Sequence, residues 1–301
     1  MHRSKLRLLG GLALALGIGL VGAGCGSSST STGSTAAAGT ATKDEAVAAE
    51  VPAAIASKGT LTVAADASYP PNEFIGSDGT TVEGMDADLA QAIAAVLGLK
   101  AKVVNASFDG IIPGLAAGKY DLGMSSFTDN KEREKVVDFV TYYSAGTSFY
   151  VKAKGGPTIN GLADLCGLTV VVERGTTQAD DAKAQSTTCK NAGKKGVTVL
   201  VFPDQSGANL ALSSDRGEVG MADSPVAADI VKKSNGKFAL VGQPYGTAPY
   251  GIAIPKGNGM STPVLDAVKT LMANGVYDSI MAKWGLEKGA IDNPQINGAV
   301  S

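Results

Sequence analysis

Histidine is almost missing from this chain: the single one in 301 residues is His2. A body without imidazole excludes Ser-His-Asp and Cys-His nucleophilic arrangements and removes the most versatile metal ligand. Cysteine is scarce as well, with Cys25, Cys166 and Cys189 only, and without histidine these do not make a metal-ligand set. No cofactor is implied. Basic residues do not outnumber acidic ones (26 against 28, formal charge −2), so the electrostatic footprint of a nucleic-acid binder is absent. Beyond the first two dozen residues no apolar run approaches the roughly 20 positions that span a membrane. What remains is 44% apolar and long enough for one large or two medium globular domains.

The first 24 residues stand apart. His2, Arg3, Lys5 and Arg7 form a basic start, and an apolar run rich in Leu, Ala and Gly follows from Leu8 to Ala23. This is the layout of a secretory signal, expected over residues 1–24. It ends at Gly24-Cys25, followed by Ser, Gly and Thr. The junction resembles a bacterial lipoprotein processing site, which implies lipidation of Cys25 as the new N-terminus and attachment to the outer face of the cell membrane. Gly22 stands where such signals usually carry Leu. An uncleaved membrane anchor is the alternative, and either reading exports the body. Residues 25–56 then read as a flexible Ser/Gly/Thr/Ala tether, with a frayed helix over residues 46–57. With Cys25 assigned to lipid, Cys166 and Cys189 form an even pair in an exported chain, so a disulfide is expected. Closing that loop is worth about 3 kcal/mol in the chain-entropy model.

The stretch Asp121-Leu-Gly-Met-Ser-Ser-Phe-Thr-Asp-Asn-Lys-Glu-Arg-Glu134 predicts a short strand, a turn rich in hydroxyls (Ser125, Ser126, Thr128) and a helix start carrying Arg133. Free N–H groups before a helix favour an anion, and a guanidinium one turn on can grip the same anion with its planar fork. The arrangement suits a carboxylate. The competing reading is a solvated charge run from Lys131 to Lys135 on a surface helix.

Periodicity predicts two α/β units. The first has strands over 61–66, 102–105 and 120–124, a helix after Gly84 with Met85, Leu89, Ile93, Val96 and Leu97 on one face, and a short helix from Phe108. The second has strands over 168–173, 197–202 and 219–222, with helices from about Gln178, Gly207 and Pro225. Two extended runs follow over 238–254, then two amphipathic helices separated at Asn274-Gly275. Short connections between such elements imply parallel sheets covered on both faces, with ligands at the C-terminal strand ends. Asp66, Phe108 and Ser125 to Thr128 fall at such ends.

Several motifs in order carry a resemblance: Gly84-Met-Asp-Ala-Asp-Leu89, Phe108-Asp-Gly-Ile-Ile-Pro113, Gly118-Lys-Tyr-Asp-Leu122, Met124-Ser-Ser-Phe-Thr128 with Glu132-Arg133, Gly175-Thr-Thr-Gln178, Ala222-Asp-Ser-Pro-Val-Ala-Ala228 and Lys283-Trp-Gly285. Residues 60–287 resemble the polar amino-acid-binding proteins of bacterial ABC importers, solute-binding family 3. The resemblance implies a two-lobed α/β fold of the type II periplasmic-binding-protein kind, its two sheets joined by a two-strand hinge near 149–152 and 245–252. Lobe one is expected over 57–149 and 247–301, lobe two over 150–246. It further implies that Ser126, Thr128 and Arg133 hold a ligand α-carboxylate with Thr177 facing them, and that Asp223 holds the α-ammonium. Tyr69 and Phe108 would contact the ligand side chain, and Asp66 and Ser125 its polar end. Each residue has a plainer reading: Asp223 and Thr177 as helix caps, Tyr69 and Phe108 as core aromatics, Asp66 as a loop acid. The resemblance implies a monomer that hands a polar amino acid to a membrane permease with its ATPase, and Asp66 near the side-chain end puts the basic amino acids and glutamine first among the candidates. A carboxylate-based dehydratase or a ligand-sensing receptor module on the same fold are the alternatives. No residue pair demands catalysis, and a binding module without enzymatic activity is the expectation.

Overall fold

Apolar runs punctuated by Gly, Pro and Asp build strands and helices in close alternation. The computed structural model of the protein describes residues 40–300; the leader, Cys25 and the early part of the tether lie outside the described residues. The later part of the expected tether is ordered against the body. Asp44 accepts the N–H groups of Ala46 and Val47 at 2.9 and 3.2 Å and so caps α1 (Glu45–Ala49); α2 (Ala53–Ala56) follows. Val47 and Val51 are buried in the neighbouring core. Two valines with a good cap outweigh the helix-end fraying that the Ala-rich composition suggests.

Lobe one opens with β1 (Thr60–Ala65) and a small antiparallel ribbon of β2 (Ser68–Tyr69), β3 (Glu73–Ile75) and β4 (Val82–Glu83). Then come α3 (Met85–Val96), β5 (Lys100–Asn105), α4 (Phe108–Ala116) and β6 (Leu122–Gly123). β5 and β6 pair with β1 in parallel, so Asp66 and Ser125 emerge from the same edge of the sheet. The α-helix expected to carry Arg133 does not form. A single turn of 3-10 helix, Arg133–Lys135, gives way at Val137 to β7 (Val137–Lys152), which leaves no length for an α-helix.

Lobe two repeats the pattern with β8 (Thr169–Glu173), α5 (Thr177–Asn191), β9 (Thr198–Phe202), α6 (Gln205–Ser213), β10 (Val219–Asp223) and α7 (Ser224–Lys233). β8 pairs in parallel with β9 and β10. The expected disulfide joins Cys166 to Cys189 of α5, with Cα atoms 5.6 Å apart. The chain returns along β11 (Phe238–Pro255), one long strand where the sequence predicts two runs, and ends with α8 (Ser261–Ala273) and α9 (Val276–Trp284). Val264, Val268, Leu271, Tyr277 and Met281 of these last helices share a core with Leu89 and Ile93 of α3.

β7 and β11 are antiparallel partners along nearly their whole length, and they weld the two expected sheets into one eight-stranded sheet of order β5-β1-β6-β11-β7-β10-β8-β9. Pairing is irregular only near the middle, between Val241 and Tyr245, between Tyr245 and Ala248, and again at Tyr250/Gly251. Gly146 sits at this irregularity: a Cβ there would lie 2.7 Å from the Tyr245 carbonyl oxygen. At this one position of the crossing the paired strands leave no room for a side chain.

Candidate functional site

The C-terminal ends of β1, β6, β8 and β10 converge on one small cavity between the lobes. It is lined by all nine residues proposed from sequence: Asp66, Tyr69, Phe108, Ser125, Ser126, Thr128 and Arg133 from lobe one, Thr177 and Asp223 from lobe two. Glu73, Glu173, Thr176 and Gln178 complete the lining.

Arg133 separates from the rest of its charge run. Lys131 and Lys135 are exposed and pair with Glu134 and Glu132 at 3.0 and 2.6 Å, as a solvated surface would have them. The Arg133 guanidinium turns inward onto a platform of Phe108 and Phe127, 5.4 and 5.5 Å from the ring centroids; the two rings are stacked 4.5 Å apart. Nη1 donates to the Thr128 carbonyl at 2.8 Å and Nη2 to the Gly175 carbonyl of the other lobe at 3.0 Å. Loss of hydration lowers its pKa to about 10, with Asp223, Asp180 and Asp129 opposing the shift. It stays charged at neutral pH.

Asp223 lies across the cleft, 7% exposed. A helix cap would aim its carboxylate at the N–H groups of α7. Instead Oδ1 accepts from Gln178 Nε2 at 2.6 Å and Oδ2 from the Tyr250 hydroxyl at 2.7 Å. Its own N–H donates to the Tyr69 hydroxyl at 2.8 Å, so a lobe-one ring is seated in the lobe-two core beside Tyr150 and Val171. Burial raises the Asp223 pKa to about 6, against the pull of Tyr250, Gln178 and Arg133. The group is ionised at neutral pH. Thr176, not Thr177, caps α5: its hydroxyl oxygen accepts from the Ala179 N–H at 3.2 Å, leaving Thr177 as the first helical residue on the cavity.

The lobe-one wall is a buried acid network. Asp66 Oδ2 accepts the Phe108 N–H at 2.9 Å, which makes it the anchor for the start of α4. Ser125 donates to Glu73 at 3.0 Å and accepts the Asp66 N–H at 2.8 Å. Ser126 has a φ of 51°, in the left-handed region, and its N–H donates to Asp86 at 2.7 Å. That N–H is thus committed to a buried carboxylate. Strain of this kind, worth about 1–3 kcal/mol, persists only where neighbours enforce it. Burial pushes Glu73 and Asp86 up together, and the pair sits with no cation beside it among the described residues.

Glu173, Thr176 and Gln178 were not among the candidates. Glu173 carried a usable signal. It is an acid ending an apolar strand, Thr169-Val-Val-Val-Glu173, just before a glycine turn, as Asp66 ends Leu61 to Ala65.

Two lobes joined by paired strands, with polar groups from both on one cavity, define a ligand-binding protein. The chain belongs to the bacterial extracellular solute-binding proteins, family 3, whose family model matches residues 61–287. It is 37% identical to the arginine-binding protein ArgT of Corynebacterium glutamicum over 252 residues, covering 83% of this chain and 82% of that one. Among solved structures, an ancestral arginine-binding protein bound to arginine is 38% identical with a TM-score of 0.69, over 75% of this chain and 98% of that one. An ancestral amino acid-binding protein described as a precursor of cyclohexadienyl dehydratase is 34% identical, with a TM-score of 0.69 over 77% and 97% of the two chains.

Proposed function

We propose that the protein captures a polar or cationic α-amino acid between its lobes and presents the closed form to the permease and ATPase of an ABC importer. The observation that carries this reading is the placing of Arg133 and Asp223, one guanidinium and one carboxylate from opposite lobes, on the same small cavity. An α-amino acid carries the complementary pair of charges one carbon apart. Arg133 with Thr128 and Thr177 takes the carboxylate, while Ser126, its N–H and hydroxyl engaged by Asp86 and Glu73, supports the turn behind them; Asp223 takes the ammonium. Tyr69 and Phe108 bound the side chain, and Asp66 and Ser125 lie toward its polar end. Closure follows because the ligand contacts both lobes only when they meet, and only differential affinity shifts such an equilibrium. The arginine-binding relatives support the amino-acid class. The ligand is bound and released without chemical change, by a monomer.

A thermal-shift panel of the 20 common amino acids checks this. A true ligand at about 100 times its dissociation constant adds about 2.7 kcal/mol, or roughly 5–10 °C for a domain of this size, and is recovered unaltered. A panel without any shift, or a ligand converted to product, rejects the reading.

The same proposal places the mature chain on the outer face of the membrane, held by lipid on Cys25. Mass spectrometry of native protein is expected to find a diacylated N-terminal residue 25. An intact Met1, or cleavage elsewhere, rules the anchor out.

A further inference from the structure

The zwitterion clamp employs one cavity carboxyl, Asp223. Three more line the same space: Asp66, Glu73 and Glu173. Asp66 is engaged by the Phe108 N–H, and both Glu73 oxygens by the hydroxyls of Ser125 and Ser126. Glu173 differs. It is 3% exposed, and its Oε1 has no hydrogen-bond partner among the described residues. A buried polar atom left unpaired is costly and needs a reason.

Its surroundings are acidic from every side. The carboxyls of Asp66, Asp204, Asp223 and Asp109 face it from the ends of β1 and β10 and the starts of α6 and α4, with the Tyr69 and Tyr150 hydroxyls nearby. The two neighbouring guanidiniums are directed elsewhere, Arg133 to the Thr128 and Gly175 carbonyls and Arg174 to Asp109 at 3.7 Å. Among the described residues no three of these acids are grouped to hold a metal ion.

We infer that Glu173 reads the charge on the ligand side chain: its unpaired Oε1 accepts from the guanidinium or ammonium head of a basic amino acid whose backbone the Arg133–Asp223 clamp holds. The inference rests on that clamp and adds the specificity. A neutral amide would meet one oxygen and leave the acidic field unanswered. A cation answers both.

The exchange has a proton consequence. Burial, with the four surrounding carboxyls, raises Glu173 to about 9, so with no cation beside it the group is protonated at neutral pH. Meeting a cation favours the carboxylate, and the proton leaves to solvent. Affinity for a basic ligand therefore rises with pH, approaching tenfold per unit below about 9. Asp223 near 6 and Arg133 near 10 act on any amino acid alike and cancel in a ratio of ligands.

Calorimetry of the mature protein with L-arginine, L-lysine, L-citrulline and L-glutamine at pH 6.5, 7.25 and 8 tests this; citrulline is arginine's neutral isostere. A basic ligand is expected to bind about 100-fold tighter than its neutral counterpart at pH 8, the ratio growing about tenfold per pH unit. Glu173→Gln should collapse the ratio to within about fivefold and flatten its pH dependence, with arginine affinity falling far more than citrulline affinity. Citrulline binding by the variant also reports that its cleft is folded. Equal affinities in the wild type, a ratio independent of pH, or equal losses for both ligands in Glu173→Gln overturn the inference and leave the clamp standing. Failure of all four amino acids to bind the wild type overturns the inference, and the clamp falls with it when the panel of 20 amino acids also shows no shift.

Discussion

Arg133→Ala is expected to weaken amino-acid binding about 30- to several-thousand-fold, the equivalent of about 2–5 kcal/mol for leaving a desolvated ligand charge without its partner. The size follows from the setting. The guanidinium lies between two aromatic rings and the opposite lobe, with little water to replace it, and is held in place by the Thr128 and Gly175 carbonyls. Arg133→Lys should rescue only part, since it keeps a charge but loses the planar fork. A ligand methyl ester separates this role from general damage. Esterification should cost the wild type heavily and the Arg133→Ala protein little, because the interaction it removes is already gone. Calorimetric titration of the two proteins with the two ligands completes the cycle. A variant that melts several degrees lower but binds normally would show that Arg133 serves the fold alone.

Gly175→Val is expected to cost at least tenfold in affinity through the approach of the lobes themselves. Gly175 has a φ of 79°, and a Cβ placed there would lie 3.0 Å from the Asp109 Cβ and 3.2 Å from its Cα. Two separable costs arise. The left-handed backbone is unfavourable for any larger residue by roughly 1–2 kcal/mol, open or closed, and lowers the thermal midpoint of the empty protein. The collision exists only when the lobes meet, so it falls on ligand affinity. Asp109→Gly removes the nearest atom and should return part of the affinity lost in Gly175→Val without restoring the midpoint. Equal binding by Gly175→Val and wild type would mean that closure does not bring these backbones together.

The residues differ in how far their roles could be read before folding. Asp66, Phe108 and Asp223 stand at changes of periodicity, where a strand or helix ends, and strand ends in parallel sheets are where chemistry collects. Arg133 was legible as a residue set apart from its charge run, and it lines the cavity, but the helix expected to carry it does not form. Charge pairs three apart, Lys131 with Glu134 and Glu132 with Lys135, look helical, while the start of β7 at Val137 is a tertiary matter. The first half of β7 escaped because Val137 to Ala145 is buried on both faces, apart from Asp138 and Ser144, and shows no alternation. Thr176 and Thr177 are chemically the same, so no local rule says which caps and which faces the cavity. The plain capping role of Asp223 fails through Tyr250, 27 residues away, which reaches its carboxylate only because β11 crosses the hinge. That Glu173 lacks a partner is a property of the assembled cleft and of no stretch of sequence.

The paired crossing of β7 and β11 bears on how such a chain could be recombined. Ala145 lies opposite Ala248, and Thr147 opposite Tyr245, so lobe two departs from lobe one and rejoins it at adjacent points. Such a segment is a cassette. Its two ends are already stitched together, so a foreign counterpart can be spliced in at Gly146 and Gly246 without rethreading the host. The halves of the clamp would then have separate ancestries open to them. Arg133, with the aromatic platform beneath it, stays with the host; Asp223 and Glu173 travel with the insert. One recombination event could thus retain the grip on the carboxylate while changing which side chains are admitted.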